Sequence, residues 1–189
     1  RKHTAKQFFD AFELARKCGF DNINTDLIAG LPTDTPESFK NSLDSIVRLN
    51  AECITVHTLC MKRASRLTTE GVTLDLQQAR DAREMLAYTQ NILGQNEYIP
   101  YYMYRQSRMV GNLENVGWSK RGFESLYNVY VMDETHTILA CGSGGVTKLK
   151  RNNPDYLERI FNFKYPYEYI DRFDELIQRK SGIMQFYGQ

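Results

Sequence analysis

Asn24-Thr25-Asp26-Leu27-Ile28-Ala29-Gly30-Leu31-Pro32 is the stretch on which the fold turns. Ile23 through Ala29 form a short run consistent with a mostly buried strand, and Gly30-Leu31-Pro32 stops it. Upstream, Thr4 with Gln7 makes a capping box, Phe8, Ala11, Phe12 and Ala15 recur at helical spacing, and Cys18-Gly19 supplies a C-terminal glycine able to turn left-handed. Downstream, Thr35 caps a helix with Pro36 in its first position and Phe39, Leu43, Ile46 and Val47 on its inner face. A second strand, Cys53 to Leu59, precedes a polar stretch. Asp75 with Gln78 then caps a long helix carrying Leu76, Ala79, Met85, Leu86, Ile92 and Leu93. Strands alternating with helices at this spacing predict a parallel α/β arrangement.

After about Gln95 the character changes. Tyr98 to Arg105 is aromatic and β-prone, Leu126 to Met132 alternates, and Thr137 to Cys141 follows the hairpin-loop composition Asp133-Glu134-Thr135-His136. This half reads as antiparallel, closed by one helix after Asn153-Pro154 and another bearing Tyr169, Ile170, Phe173, Leu176 and Ile177. The reading divides the chain at 96/97. Residues 1–96 are expected to be the last strands and helices of a partial parallel (β/α) barrel, and residues 97–189 a C-terminal α+β domain. Two parallel strands leave open edges with unpaired backbone groups, so the first part is expected to want a neighbour. The absence of an N-terminal methionine fits a piece of a longer barrel protein, although signal removal or processing also deletes that residue.

The 189 residues are 42% hydrophobic and 25% charged, which excludes disorder, and 24 Lys+Arg against 23 Asp+Glu leave a net charge of +1. No global field exists to hold nucleic acid or an anionic bilayer. No run approaches the ~18 apolar residues of a membrane helix, and Arg1-Lys2-His3-Thr4-Ala5-Lys6-Gln7 lacks the apolar core of a signal peptide. A cytoplasmic protein is expected. Cys18, Cys53, Cys60 and Cys141 are scattered with no CxxC pair, so neither a disulfide framework nor a structural zinc site is indicated.

Asp26 lies near the C-terminal end of its strand, where ligands of parallel barrels sit. Its carboxylate can accept from ribose hydroxyls or an ammonium group; alternatively it caps a loop or pairs with a neighbouring basic group. Cys60, after a strand, reads as a packed thiol rather than a nucleophile or cluster ligand, and His57, in an apolar strand, as a hydrogen-bonded core residue. Cys141-Gly142-Ser143-Gly144-Gly145 lacks the spacing of a phosphate loop and reads as a tight turn.

The segment Asp26-Leu27-Ile28-Ala29-Gly30-Leu31-Pro32 with Thr35-Pro36-Glu37-Ser38-Phe39 resembles the D-L-I-x-G-L-P strand and T-P-E-S-F helix start of the oxygen-independent coproporphyrinogen III oxidase (dehydrogenase) family of radical S-adenosylmethionine enzymes. Ile54 to Leu59 resembles that family's next barrel strand. Tyr102-Met103-Tyr104-Arg105-Gln106 with Gly111-Asn112-Leu113-Glu114-Asn115-Val116-Gly117-Trp118 is similar to its coproporphyrinogen dehydrogenase subgroup.

The resemblance implies a [4Fe-4S] cluster that reductively cleaves S-adenosylmethionine. The 5′-deoxyadenosyl radical takes a hydrogen from a propionate of coproporphyrinogen III, and decarboxylation leaves a vinyl. It further implies an electron donor as partner and a preceding part of the barrel carrying CxxxCxxC. The four cysteines here are spaced nothing like that motif, so this chain alone is expected to bind no metal or cofactor, to hold no catalytic residue and to turn over nothing. By resemblance, Arg1 faces the S-adenosylmethionine carboxylate, Asp26 the cofactor's polar end, and Ile28 and Cys60 its adenine. Arg105 and Gln106, with Arg108, Lys120 and Arg121, sit in sequence near Tyr101, Tyr102, Tyr104 and Trp118, a composition suited to the carboxylates and ring of a tetrapyrrole. The same residues also read as a solvated basic rim. Relatives that carry haem or open its ring keep a haem carrier and a haem-degrading enzyme as alternatives.

Overall fold

The computed structural model describes residues 3–60, 76–105, 109–152 and 155–188. The residues divide into two compact units, Arg1–Ser125 and Leu126–Gln189.

The first unit begins with α1 (Ala5–Lys17), whose Thr4–Gln7 capping box forms as the sequence predicts. It leads to β1 (Asn24–Ala29), then to α2 (Pro36–Arg48), capped by Thr35 with Pro36 at its start, then to β2 (Cys53–Thr58). The long helix α3 (Leu76–Gln95), β3 (Ile99–Tyr104), a single 3-10 turn at Val110–Asn112 and β4 (Asn115–Ser119) complete it. The expected cap Asp75 lies outside the described residues. β1 and β2 are parallel, with Asp26 opposite Thr55 and Ile28 opposite His57. β4 runs antiparallel to β2 and β3 antiparallel to β4, giving the order β1-β2-β4-β3. The mixed α/β class is therefore as expected, but the sheet continues past the change of composition at 96. The second edge of β2 would otherwise expose unpaired amides and carbonyls, and β4 satisfies them.

One face of this sheet is covered. Phe12 from α1, Phe39, Leu43 and Ile46 from α2, and Met85 and Leu93 from α3 pack with Ile54, Val56 and Trp118, all 7% exposed or less. Each such burial contributes about 1.5–3 kcal/mol, which makes this layer the unit's main core. Gly30, at φ +83°, allows the chain after β1 to pass close under α3: a Cβ there would lie 3.2 Å from the Ala82 Cβ, and the Gly30 N–H points at the Met85 sulfur at 3.3 Å.

The second unit departs further from the sequence reading. Leu126–Asp133 forms a helix, α4, where alternation suggested a strand. LYNVYVM is nearly continuous in apolar residues, so both periods fit it. The helix is fixed instead at its C-terminal end, where Lys148 Nζ donates to the Val131 carbonyl at 3.2 Å and to Glu134 Oε1 at 2.9 Å. Thr137 to Cys141 supplies only the bridge from Ile138 to Lys148. The chain after 154 is not helical: β5 (Val146–Asn152) and β6 (Asp155–Phe161) form an antiparallel pair, with Leu149 fully buried. The predicted last helix breaks at Arg172 into α5 (Pro166–Asp171) and α6 (Phe173–Lys180), followed by α7 (Gly182–Tyr187). Arg172 and Arg179 stack on the Phe163 ring at 4.2 and 4.1 Å, and both pair with Glu175. The glycine turn at 142–145 folds round Asn162, whose side-chain amide donates to the Gly142 carbonyl at 2.8 Å, so it is a turn as expected.

Candidate functional site

The face of the sheet opposite the three helices carries polar and aromatic side chains. Because side chains alternate along a strand, the residues that bury Ile54, Val56 and Trp118 on one side present Asn24, Asp26, Ile28, Thr55, His57 and Gly117 on the other. On β3 the register puts Tyr102 opposite Gly117 and Tyr104 opposite Asn115, so both rings lie on this second face.

A connected set of polar contacts crosses three strands there. Asn24 Nδ2 donates to Asp26 Oδ1 at 2.8 Å, and His57 Nε2 stands 3.7 Å from the same oxygen. The Thr55 hydroxyl donates to Asn24 Oδ1 at 3.1 Å and lies 3.2 Å from the Tyr102 hydroxyl, while the Tyr104 hydroxyl is 3.3 Å from His57 Nδ1. The Tyr102 and Tyr104 rings are stacked, with centroids 6.3 Å apart and planes within 6°. Tyr102 sits so close over Gly117 that a Cβ there would lie 1.8 Å from its ring.

The Asp26 side chain is 60% exposed, and Ile28 is exposed beside it. His57, followed by Asn24, holds the Asp26 carboxyl below the usual aspartate range, although its partial burial works the other way. Burial pushes the Tyr102 and Tyr104 phenols up, so both stay protonated donors at neutral pH. The face thus offers a fixed anion, an apolar side chain and two stacked aromatic rings, a combination suited to a ligand with a cationic end and a flat apolar body.

The expected site residues do not all converge here. Asp26 and Ile28 do. Cys60 follows β2 and is half-buried, its backbone bridged to Met109. Arg1 and Gln106 lie outside the described residues, as does Arg108. Arg105 is on the other face: it lines a cavity of about 440 Å³ with Arg83, Leu86, Val116 and Trp118, and its guanidinium pairs with Glu114 at 2.7 Å. Lys120 is occupied by Asn50 at 2.5 Å. His57 is not the core residue that its apolar neighbours suggested, since its strand leaves it 30% exposed toward Asp26. The signal was present in the even offset: the parallel register that sets Asp26 against Thr55 brings His57 onto the same face.

Among the described residues no three of His, Cys, Asp and Glu come together as a metal site. Cys18 and Cys141 are exposed on different units, and the buried Cys53 thiol donates to the Phe123 carbonyl at 3.1 Å. No described helix is long and apolar enough to cross a membrane.

No family model matches the chain. It is 36% identical over 185 residues to the oxygen-independent coproporphyrinogen-III oxidase-like protein HemZ of Bacillus subtilis, a match covering 98% of this chain and 37% of HemZ. The chain belongs to the oxygen-independent coproporphyrinogen III oxidase family. It corresponds to the family's C-terminal portion. The heme chaperone HemW of Lactococcus lactis is 30% identical over 162 residues, 81% of this chain and 38% of HemW. The chain thus spans under two-fifths of the length of either relative. Among solved structures it shares the fold of coproporphyrinogen III oxidase HemN from Escherichia coli, a radical SAM enzyme, at TM-score 0.62 and 18% identity over 93% of this chain and 39% of HemN.

Proposed function

We propose that the complete protein is a radical S-adenosylmethionine enzyme that decarboxylates the propionates of coproporphyrinogen III to vinyls, and that this chain supplies the face holding the cofactor's polar end. The observation that carries the reading is the exposed Asp26 carboxylate, held anionic and oriented by Asn24 and His57 on the uncovered face of the sheet.

The residues present fit S-adenosylmethionine in part. Asp26 would accept from its ammonium or ribose hydroxyls, and the neighbouring Ile28 would pack against the adenine. Bound near a reduced [4Fe-4S] cluster, the cofactor supplies the oxidising equivalent that removes a hydrogen from the substrate. The cluster itself is not fitted by this chain's dispersed cysteines, so its thiolates would come from the preceding part of the barrel. What these residues do is bind and orient: Asp26 fixes the cationic end, while the Tyr102–Tyr104 stack offers an aromatic wall to a ring-shaped substrate. An electron donor and the preceding part of the barrel complete the proposed partners.

A second reading, haem carriage, is favoured by the similarity to HemW over 81% of this chain. Anaerobic reconstitution of the full-length protein, followed by incubation with coproporphyrinogen III, S-adenosylmethionine and a reductant, separates the two. Vinyl products by chromatography support the enzyme. A stable haem complex with no conversion overturns it in favour of the carrier.

A further inference from the structure

His57 stands between two groups of opposite demand. Asp26 Oδ1, which already accepts from Asn24, lies 3.7 Å from Nε2, so a neutral imidazole faces this anion favourably only with the proton on Nε2. Nδ1 is then a lone-pair acceptor, and the Tyr104 hydroxyl, 3.3 Å away and on a phenol that burial keeps protonated, is placed to donate to it. Each contact selects the same tautomer. The titratable groups around the ring among the described residues are Asp26 from β1, Tyr102 and Tyr104 from β3 and Cys60 beyond the end of β2; β4 brings the neutral Asn115 and Gly117.

We propose that His57 is the positioning residue of the Asp26 carboxylate and makes the charge of this face depend on pH. As the neutral Nε2–H tautomer, set by Tyr104, it orients Oδ1 and leaves Asp26 its full negative charge for a cationic ligand. On protonation the imidazolium pairs with Asp26, compensates that charge, and weakens the face for the same ligand. The functional half of this inference rests on the assignment of Asp26 to S-adenosylmethionine; the coupling between the two side chains does not.

The coupling is read in the full-length protein, with the His57 signal assigned by substitution and told apart from this chain's other two histidines, His3 and His136. Nitrogen-15 shifts of the neutral ring should report Nε2–H at His57. Tyr104→Phe and Asp26→Ala should each mix the tautomers, because each removes one of the two contacts that select Nε2–H. A neutral His57 with its proton on Nδ1, or tautomers indifferent to both substitutions, overturns the proposal. In the full-length protein, S-adenosylmethionine affinity is then compared between about pH 8 and about pH 5.5 for wild type and His57→Gln. The ligand's own titration is common to both and cancels. Wild type should lose roughly tenfold more affinity than the variant over that range. Parallel profiles refute the role of His57, whereas an Asp26→Asn variant that binds like wild type at every pH refutes the cofactor assignment and leaves the NMR result to decide the coupling.

Discussion

Replacing Gly117 by Ala tests whether the aromatic wall is built on a missing side chain. Gly117 lies opposite Tyr102 in the β3–β4 register, and a Cβ at that position would sit 1.8 Å from Tyr102 Cε1 and 2.3 Å from Cδ1. No rotation of a few degrees relieves contacts that short, so the ring must leave its seat. Leaving forfeits the stack on Tyr104, worth about 0.5–1.5 kcal/mol, and the hydrogen bond with Thr55 at 3.2 Å, worth a similar amount. Against this, removing a glycine from the unfolded chain returns about 0.4–1 kcal/mol. A net destabilisation of about 1–2 kcal/mol follows. Urea unfolding of the chain followed by circular dichroism measures it. The Tyr102 phenol, raised by burial, should also titrate closer to an ordinary tyrosine in the variant. Gly94→Ala is the control of opposite sign, because its Cβ meets nothing within 4 Å on α3 and helix propensity favours Ala by roughly 0.5–1 kcal/mol. A Gly117→Ala chain as stable as wild type, with Tyr102 titrating unchanged, would mean that the Tyr102 ring does not depend on the space over Gly117.

Three further outcomes follow from buried or paired groups. Burial alone would push the Glu52 carboxyl up, but two contacts from Arg16 at 2.7 and 2.8 Å and the Ile23 N–H at 3.0 Å outweigh it and hold it below the usual range. A carboxyl depressed on folding stabilises above its unfolded pKa and loses that contribution as pH falls through the folded one. Glu52→Gln should therefore cost about 1–3 kcal/mol at neutral pH and much less below about pH 4, as unfolding at several pH values will show; a constant offset contradicts this. Tyr98, its hydroxyl on the Ala51 carbonyl at 2.5 Å, is pushed up to about 12 by burial. Its contribution is present below about pH 10 and lost as pH rises toward the folded value. Tyr98→Phe should lose about 1 kcal/mol at neutral pH yet fall less steeply in alkaline unfolding, and an equally steep fall refutes it. Arg105→Lys keeps the Glu114 pair on the helix side and should leave tetrapyrrole affinity of the full-length protein within roughly twofold; a tenfold loss would place the substrate on that side.

The sequence made the helix-strand-helix start legible because each boundary carries its own chemistry: the Thr4–Gln7 box, Thr35-Pro36 and the left-handed Gly30 all act locally. It did not show that β4 would pair with β2, since that is decided by which edge remains unsatisfied once the chain has folded. Leu126–Asp133 and Asp155–Phe161 exchanged their expected states because their apolar residues fit both periods and only partners such as Lys148 and β5 settle the matter. In the candidate site, the strand-end position of Asp26 was legible, whereas the face of Arg105 was not: β3's alternation puts Tyr102 and Tyr104 on one face and Arg105 on the other. His57 was missed because its neighbours in sequence are apolar, whereas its neighbours across the register are Asp26 and Tyr104.

The most direct measurement is calorimetric titration of S-adenosylmethionine into the full-length protein at neutral pH, wild type against Asp26→Ala. The carboxylate is exposed and oriented without being part of the core, so the fold should survive the substitution. A loss of about 1–3 kcal/mol in binding is expected, roughly five- to 150-fold in affinity. Unchanged affinity in a folded variant would show that Asp26 only ties its strand to Asn24 and His57, and would contradict the assignment of this face to the cofactor.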